Sequence, residues 1–345
     1  MKERVVVVCP GRGTYNKEEL GYLKRLHGDQ GALIEGIDRY RAGVGQSSIA
    51  GLDAMARYSL KLHSSGENAS ALIYACAYAD FLAIDRERYE VVAVTGNSMG
   101  WYIALACAGA LAPDNAIRLI NTMGSMMTDG LIGGQLLYPL VDEQWQADGA
   151  LKDTLERAVA EVQAEPGCEL YTSIELGGYR VLGGNESALK RLEQRLPVVQ
   201  DRFPMRLYNH AAFHTPLLEA VSERARLQLP ASLFEAPALP LVDGRGALWQ
   251  PYSTDPVALH DYTLGHQVVA PYDFSRAIEV AVKEFAPDRL LITGPGTTLG
   301  GSVAQVLAKL GWEGITRKAD FVARQQTDPY LLAMGHEEQR KRVLA

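Results

Sequence analysis

The chain has 345 residues, of which 47% are hydrophobic and 22% charged, and its formal net charge is −7. That apolar content excludes a disordered chain, and the length calls for a large domain with a smaller one beside it. The negative balance argues against nucleic acid or an anionic membrane as a partner, and an acidic carrier protein would need a local basic patch.

In chain order, the valine run at 5–8 is too short for the core of a signal peptide and reads as a buried strand over 5–9. The longest apolar stretch, 101–112, falls well short of the ~20 residues of a membrane-spanning helix. Cys9, Cys76, Cys107 and Cys168 are scattered without Cys-x-x-Cys spacing, as small buried hydrophobes in the reducing cytoplasm would be. Further strand-like runs over 91–95, 239–242 and 290–293 alternate with helical patterns over 70–84, 101–111 and 272–285. This predicts an α/β fold, with a mostly parallel sheet covered by helices on both faces. Between 135 and 209 the rhythm changes. Strand 136–141, helix 151–163, strands 168–175 and 179–182, helix 188–196 and strand 203–208 follow one another, with Gly177-Gly178 as the hairpin turn. This is the βαββαβ order of a ferredoxin-like unit. The expected organisation is a large domain from 1–130 and 210–330, a ferredoxin-like insert over 131–209, and a charged C-terminal extension over 331–345.

Gly96-Asn97-Ser98-Met99-Gly100 joins a predicted strand to a predicted helix. Gly-x-Ser-x-Gly in that setting makes a sharp elbow that leaves the serine oxygen exposed above the sheet, with the positive end of the following helix beneath it. The alternative is a structural turn. A serine nucleophile needs a base, and His214, in the loop-like stretch Asn209-His210-Ala211-Ala212-Phe213-His214-Thr215-Pro216, is the candidate. His210 and His214 stand four apart, but neither a helix through both nor a nearby carboxylate supports a metal pair, so His210 is taken as structural and no metal is expected. Two other glycine-rich turns, Cys9-Pro10-Gly11-Arg12-Gly13-Thr14 and Gly294-Pro295-Gly296-Thr297-Thr298-Leu299, close the first and last predicted strands. Neither is a dinucleotide or P-loop signature. They are ligand-binding turns at the sheet's C-terminal edge or simply tight turns.

As a set, these motifs resemble the malonyl-CoA:acyl carrier protein transacylase family, which includes the acyltransferase domains of polyketide and fatty acid synthases. Cys9-Pro-Gly-Arg-Gly-Thr-Tyr15 is similar to the family's Phe-Pro-Gly-Gln-Gly-Ser-Gln, and Gly96-Asn-Ser-Met-Gly-Trp-Tyr102 to Gly-His-Ser-Leu-Gly-Glu-Tyr. Ala212-Phe-His-Thr-Pro-Leu-Leu218 matches the histidine segment, and Gly294-Pro-Gly-Thr-Thr-Leu299 the Gly-Pro-Gly-x-x-Leu turn. The resemblance runs from about residue 4 to 315. It implies acyl transfer from acyl-CoA, a substrate and not a resident cofactor, to an acyl carrier protein in fatty acid or polyketide synthesis. Ser98 would carry the acyl group and His214 take its proton. The main-chain N–H groups of Met99 and Arg12 would hold the oxyanion, and the carbonyl of Gln267 would steady the histidine.

The departures concern the acyl group. Malonyl-specific members carry an arginine where this chain has Met123, and a thioether cannot replace a bidentate Arg–carboxylate pair. Arg12 replaces the usual loop glutamine, Asn97 the histidine before the serine, and Glu175 an asparagine of the insert. Two readings follow. Met123 lines an apolar slot for an uncharged acyl group, which the chemistry of a buried charge favours slightly. Alternatively, Arg12 meets a malonyl carboxylate from the opposite side, unless it is solvated or paired with Glu175. Arg118, five residues before Met123, should face elsewhere.

Rival functions also remain. An α/β-hydrolase uses the same elbow, but its histidine lies near the C-terminus after an acid, and His266 and His336 lack a matching acid loop. An acyl-thioester hydrolase on the transacylase fold, or a non-catalytic carrier-binding module, would keep the same scaffold. Retention of both Ser98 and His214 argues against the non-catalytic module.

Overall fold

The computed structural model describes residues 1–126, 130 and 132–344, and the expected domain boundary at 131 lies outside the described residues. The fold is mixed α/β, as the alternation of runs predicts. The strands are β1 (Glu3–Cys9), β2 (Tyr89–Gly96), β3 (Gly134–Pro139), β4 (Leu170–Leu176), β5 (Tyr179–Gly184), β6 (Met205–Arg206), β7 (Leu241–Val242), β8 (Leu248–Trp249), β9 (Tyr272–Asp273), β10 (Arg289–Ile292) and β11 (Leu331–Ala333).

Six of them form one sheet in the order β11-β10-β1-β2-β7-β8, parallel except where β7 turns back into β8. β1 lies inside the sheet, and Val5 to Val8 are fully buried because helices cover both faces. The helix Gly100–Cys107 is buried along its whole length. The helices Gly66–Leu82 and Pro113–Ser125 touch main chain to main chain at Gly66 and Gly124, where a Cβ on either glycine would strike the other's carbonyl. That close approach shapes the space beside Ser98.

The second sheet has the order β6-β3-β5-β4-β9. Over 134–206 the chain runs strand, helix (Gly149–Gln163), strand, strand, helix (Glu186–Arg195), strand. The four strands are antiparallel neighbours in the spatial order fourth, first, third, second. They close over a separate core that includes Leu136, Leu155, Leu182, Leu192 and Phe203. β9, from the other part of the chain, adds to β4 in parallel and joins the two lobes.

The sequence-based elements differ from the structure at four places, the first being the strand expected over 203–208, which is reduced to the two residues of β6. The strand expected over 239–242 is reduced to the two residues of β7, and the helix expected from 272 starts at Phe274 after β9. The segment 331–345, expected as a surface extension, instead supplies the edge strand β11, which pairs with β10. Its helix Glu337–Val343 buries Arg340, which donates to Asp80; Asp80 also accepts from Tyr22 Oη at 2.8 Å and from the N–H of Gly294 at 2.7 Å. The many charges of the tail hide this from the sequence, because one buried ion pair does not alter a polar pattern.

Candidate active site

Ser98 sits at the top of β2 with φ at 55°, a left-handed conformation that costs a non-glycine residue of order 1–3 kcal/mol. Tight packing holds it there. A Cβ at Gly96 would run into the carbonyl of Gly100, and one at Gly100 into the carbonyl of Cys9. The glycines of the pentapeptide thus let the elbow fold back onto the first strand. Tyr272 Oη donates to Gly96 O at 2.5 Å and pins the elbow from β9.

Ser98 Oγ and His214 Nε2 are 2.7 Å apart. On its far side, His214 Nδ1 donates to the carbonyl of Gln267 at 2.5 Å, and the histidine's own N–H donates to Val268 O at 2.9 Å. The local sequence explains why that carbonyl is available. Four residues after Gln267 comes Pro271, which has no N–H to offer it, so the carbonyl must find another donor. With Nδ1 protonated, Nε2 presents its lone pair to Ser98. Burial pushes the His214 pKa down to about 4, against the opposing hydrogen bond to Gln267 O, so the imidazole is neutral near pH 7 and able to accept a proton.

Gln267 contributes more than its carbonyl. Its side-chain amide donates to Ser98 O at 3.2 Å and its Oε1 accepts from Tyr102 Oη at 2.8 Å. Tyr102 and Tyr272 were not singled out from the sequence. Tyr102 is the last residue of the elbow motif, two after Gly100, and a tyrosine on a fully buried helix needs a partner for its hydroxyl, which was the available signal.

Met99 opens the helix Gly100–Cys107. The main-chain N–H groups of Met99 and Arg12 donate to no protein acceptor among the described residues. Both residues border a chamber of about 40 Å³ beside Ser98, together with Tyr102, Ile120, Met123 and Phe213. A second cavity of about 530 Å³ runs from Ser98 between the two sheets, walled by apolar side chains such as Leu137, Val181, Phe203 and Leu299. Ser98, Arg12 and Phe213 border both, so the hydroxyl stands where a small chamber meets a long cavity.

Met123 is buried in the chamber wall, and no acid among the described residues lines that chamber. Arg12 enters the same chamber half-buried: Nη2 donates to Ser64 O at 3.0 Å, Nε is buried without a partner, and no carboxylate pairs with it among the described residues. Burial lowers its pKa to about 10, which leaves it charged near neutrality. The pairing with Glu175 considered from the sequence does not form, because Glu175 is held by Arg180 at 2.8 Å. Arg118 faces away and donates to Gln228 O. Asn97, expected at the acyl group, lies along the long cavity and not in the chamber. Its side chain packs beside Gly11, on the other side of the elbow from Met123.

His210 and His214 do not converge: their Nδ1 atoms bond to Gln135 Oε1 and Gln267 O respectively. Among the described residues no group of three or more His, Cys, Asp or Glu is placed to hold a metal ion. Nor is any helix among them long and apolar enough to cross a membrane.

No protein-family model matches the chain. Among curated proteins it is similar to the malonyl CoA-acyl carrier protein transacylase of Salmonella typhimurium, 23% identical over 230 residues, which is 67% of this chain and 71% of that protein. The phenolphthiocerol synthesis polyketide synthase type I of Mycobacterium marinum is 26% identical over 319 residues, 88% of this chain but 14% of the synthase. Among solved structures, the malonyl-CoA:acyl carrier protein transacylase of Xanthomonas oryzae pv. oryzae superposes with a TM-score of 0.75 at 18% identity, covering 100% of this chain and 98% of that one. By sequence and by structure alike, the chain is similar to malonyl-CoA:acyl carrier protein transacylases, the family that its four motifs resemble.

Proposed function

We propose that the protein moves a short acyl group from coenzyme A to the phosphopantetheine thiol of an acyl carrier protein through an ester on Ser98. The observation that carries this reading is the aligned set Ser98 Oγ, His214 Nε2, His214 Nδ1 and Gln267 O at the junction of a small chamber and a long cavity. Ser98 Oγ attacks the thioester carbonyl while His214 takes the hydroxyl proton. The N–H groups of Met99 and Arg12 stabilise the resulting oxyanion, and the helix behind Met99 adds its dipole. Collapse breaks the C–S bond, and the departing CoA thiolate recovers the proton from His214. The carrier's thiol then repeats the sequence on the ester and regenerates Ser98. A main-chain carbonyl suffices to orient the histidine, so no third carboxylate takes part.

The acyl group lies in the chamber, the thiol arm in the long cavity. Arg12 supports one of the two acyl readings. A carboxylate beside Met123 alone would be an unpaired buried charge, whereas a guanidinium with no acid partner among the described residues already lies in the same chamber. The favoured acyl group therefore carries a free carboxylate, as malonyl does, against the preference drawn from Met123 by itself. The βαββαβ segment with its own core is read as a ferredoxin-like insert over 131–209 in a discontinuous large domain of 1–130 and 210–330. The four free cysteines suit a cytoplasmic enzyme.

Incubation with malonyl-CoA and a holo carrier protein tests transfer directly. The expected products are malonyl-carrier and free CoA in equal amounts. Free malonate with an unmodified carrier would identify a hydrolase, and no consumption of any acyl-CoA would leave a binding module.

A further inference from the structure

His210 takes no part in the steps above, yet it borders the long cavity together with Ser98, Arg12 and Gly13. Its protonation pattern follows from a chain of hydrogen bonds. The carbonyl of Phe213 can only accept, so Ser173 Oγ, 2.8 Å away, donates to it. Ser173 Oγ therefore accepts from the Gln135 side-chain amide at 2.7 Å, which turns Gln135 Oε1 toward His210 Nδ1 at 2.9 Å. Oε1 can only accept, so Nδ1 carries the proton and Nε2 is left with a bare lone pair. Burial, reinforced by the positive charge of Arg12, lowers the pKa to about 3, so the second nitrogen stays unprotonated. Nε2 has no protein partner among the described residues. Gly13 lies beside it, where an added Cβ would stay 3.9 Å away. Nε2 is therefore a fixed acceptor on the wall of a mostly apolar cavity, open to water or to a donor on whatever fills the cavity.

We propose that His210 Nε2 accepts a hydrogen bond from an amide N–H of the pantetheine arm, making His210 a specificity-determining residue for amide-bearing thioesters. This rests on the acyl-transfer reading, since that reading puts the thiol arm in the long cavity. The arm of coenzyme A and that of a carrier protein share the same amides, so one acceptor serves both half-reactions.

The test compares Ser98 loading by the malonyl thioester of N-acetylcysteamine with loading by the malonyl thioester of 2-acetoxyethanethiol, in which an ester oxygen replaces only the N–H. The unaltered protein should prefer the amide by about tenfold in kcat/KM. His210→Asn keeps a donor near the Nδ1 position for Gln135 and removes the second acceptor, and it should erase that preference. His210→Gln places an acceptor near the Nε2 position and should retain most of it. Loading of both thioesters with an unchanged preference in His210→Asn would overturn the proposal while leaving acyl transfer standing. Failure of the unaltered protein to load either thioester or malonyl-CoA would overturn the acyl-transfer reading, and this proposal with it.

Discussion

Replacing His214 by alanine should slow formation of the acyl-Ser98 ester by about 10³-fold, within the range expected when a general base is lost. The effect should fall on the chemical step, because His214 contacts Ser98 and Gln267 through its ring, and the long cavity is lined mainly by other residues. Single-turnover loading with malonyl-CoA, followed by intact mass, measures it. The same assay fixes the pH dependence. The base works as neutral imidazole, so activity is lost as pH falls through the value in the folded protein, about 4. Loading by the unaltered protein should therefore stay level from pH 8 to 5 and halve near pH 4. A midpoint near 6.5 would mean that the ring is solvated and the buried Ser98–His214 geometry is not the working one. Stability follows the same sign. Between pH 6.5 and 4 the unfolded histidine binds a proton that the folded one refuses, so up to about 3 kcal/mol is lost as pH falls. Circular dichroism at each pH separates that loss from loss of the base.

Arg12→Gln should lower kcat/KM for malonyl loading by about 100-fold and leave acetyl loading within threefold. The figure corresponds to removing one partner of a desolvated charge pair. Glutamine keeps the main-chain N–H at this position, so the oxyanion contact survives and only the side chain is tested. Adding Met123→Arg to this variant should restore malonyl loading, because residue 123 faces the same chamber from the helix Pro113–Ser125. Equal losses for malonyl and acetyl would show that Arg12 supports the loop without reading the carboxylate. No loss for either would return the assignment to an uncharged acyl group.

Much of the site is legible in the sequence because elbow chemistry forces particular residues into adjacent positions. Gly96, Ser98 and Gly100 mark the turn, and the segment around His214 marks the base. What is not legible depends on contacts between distant segments. Arg12 reaches the chamber beside Gly66, at the Gly66–Gly124 contact between two helices, which no local pattern announces. The resemblance marks the Gln267 carbonyl as the acceptor that steadies the histidine, but its side-chain links to Tyr102 and Ser98 appear only in three dimensions. Pro271 would have shown that the Gln267 carbonyl lacks a helical partner. For His210 the spacing from His214 raises a metal pair or a structural role, and its partner Gln135, 75 residues earlier on β3, appears only in three dimensions. The short strands β7, β9 and β11 are set by pairing with longer neighbours, and two or three residues carry too little periodicity to declare themselves.

The central claim is that Ser98 carries the acyl group in transit, and peptide mapping of the malonyl-CoA-treated protein tests it most directly. One malonyl group should appear on the peptide containing Ser98 and disappear when holo carrier protein is added, with the carrier gaining it. A malonyl group on any other peptide, or a Ser98 ester that the carrier cannot discharge, would contradict the account.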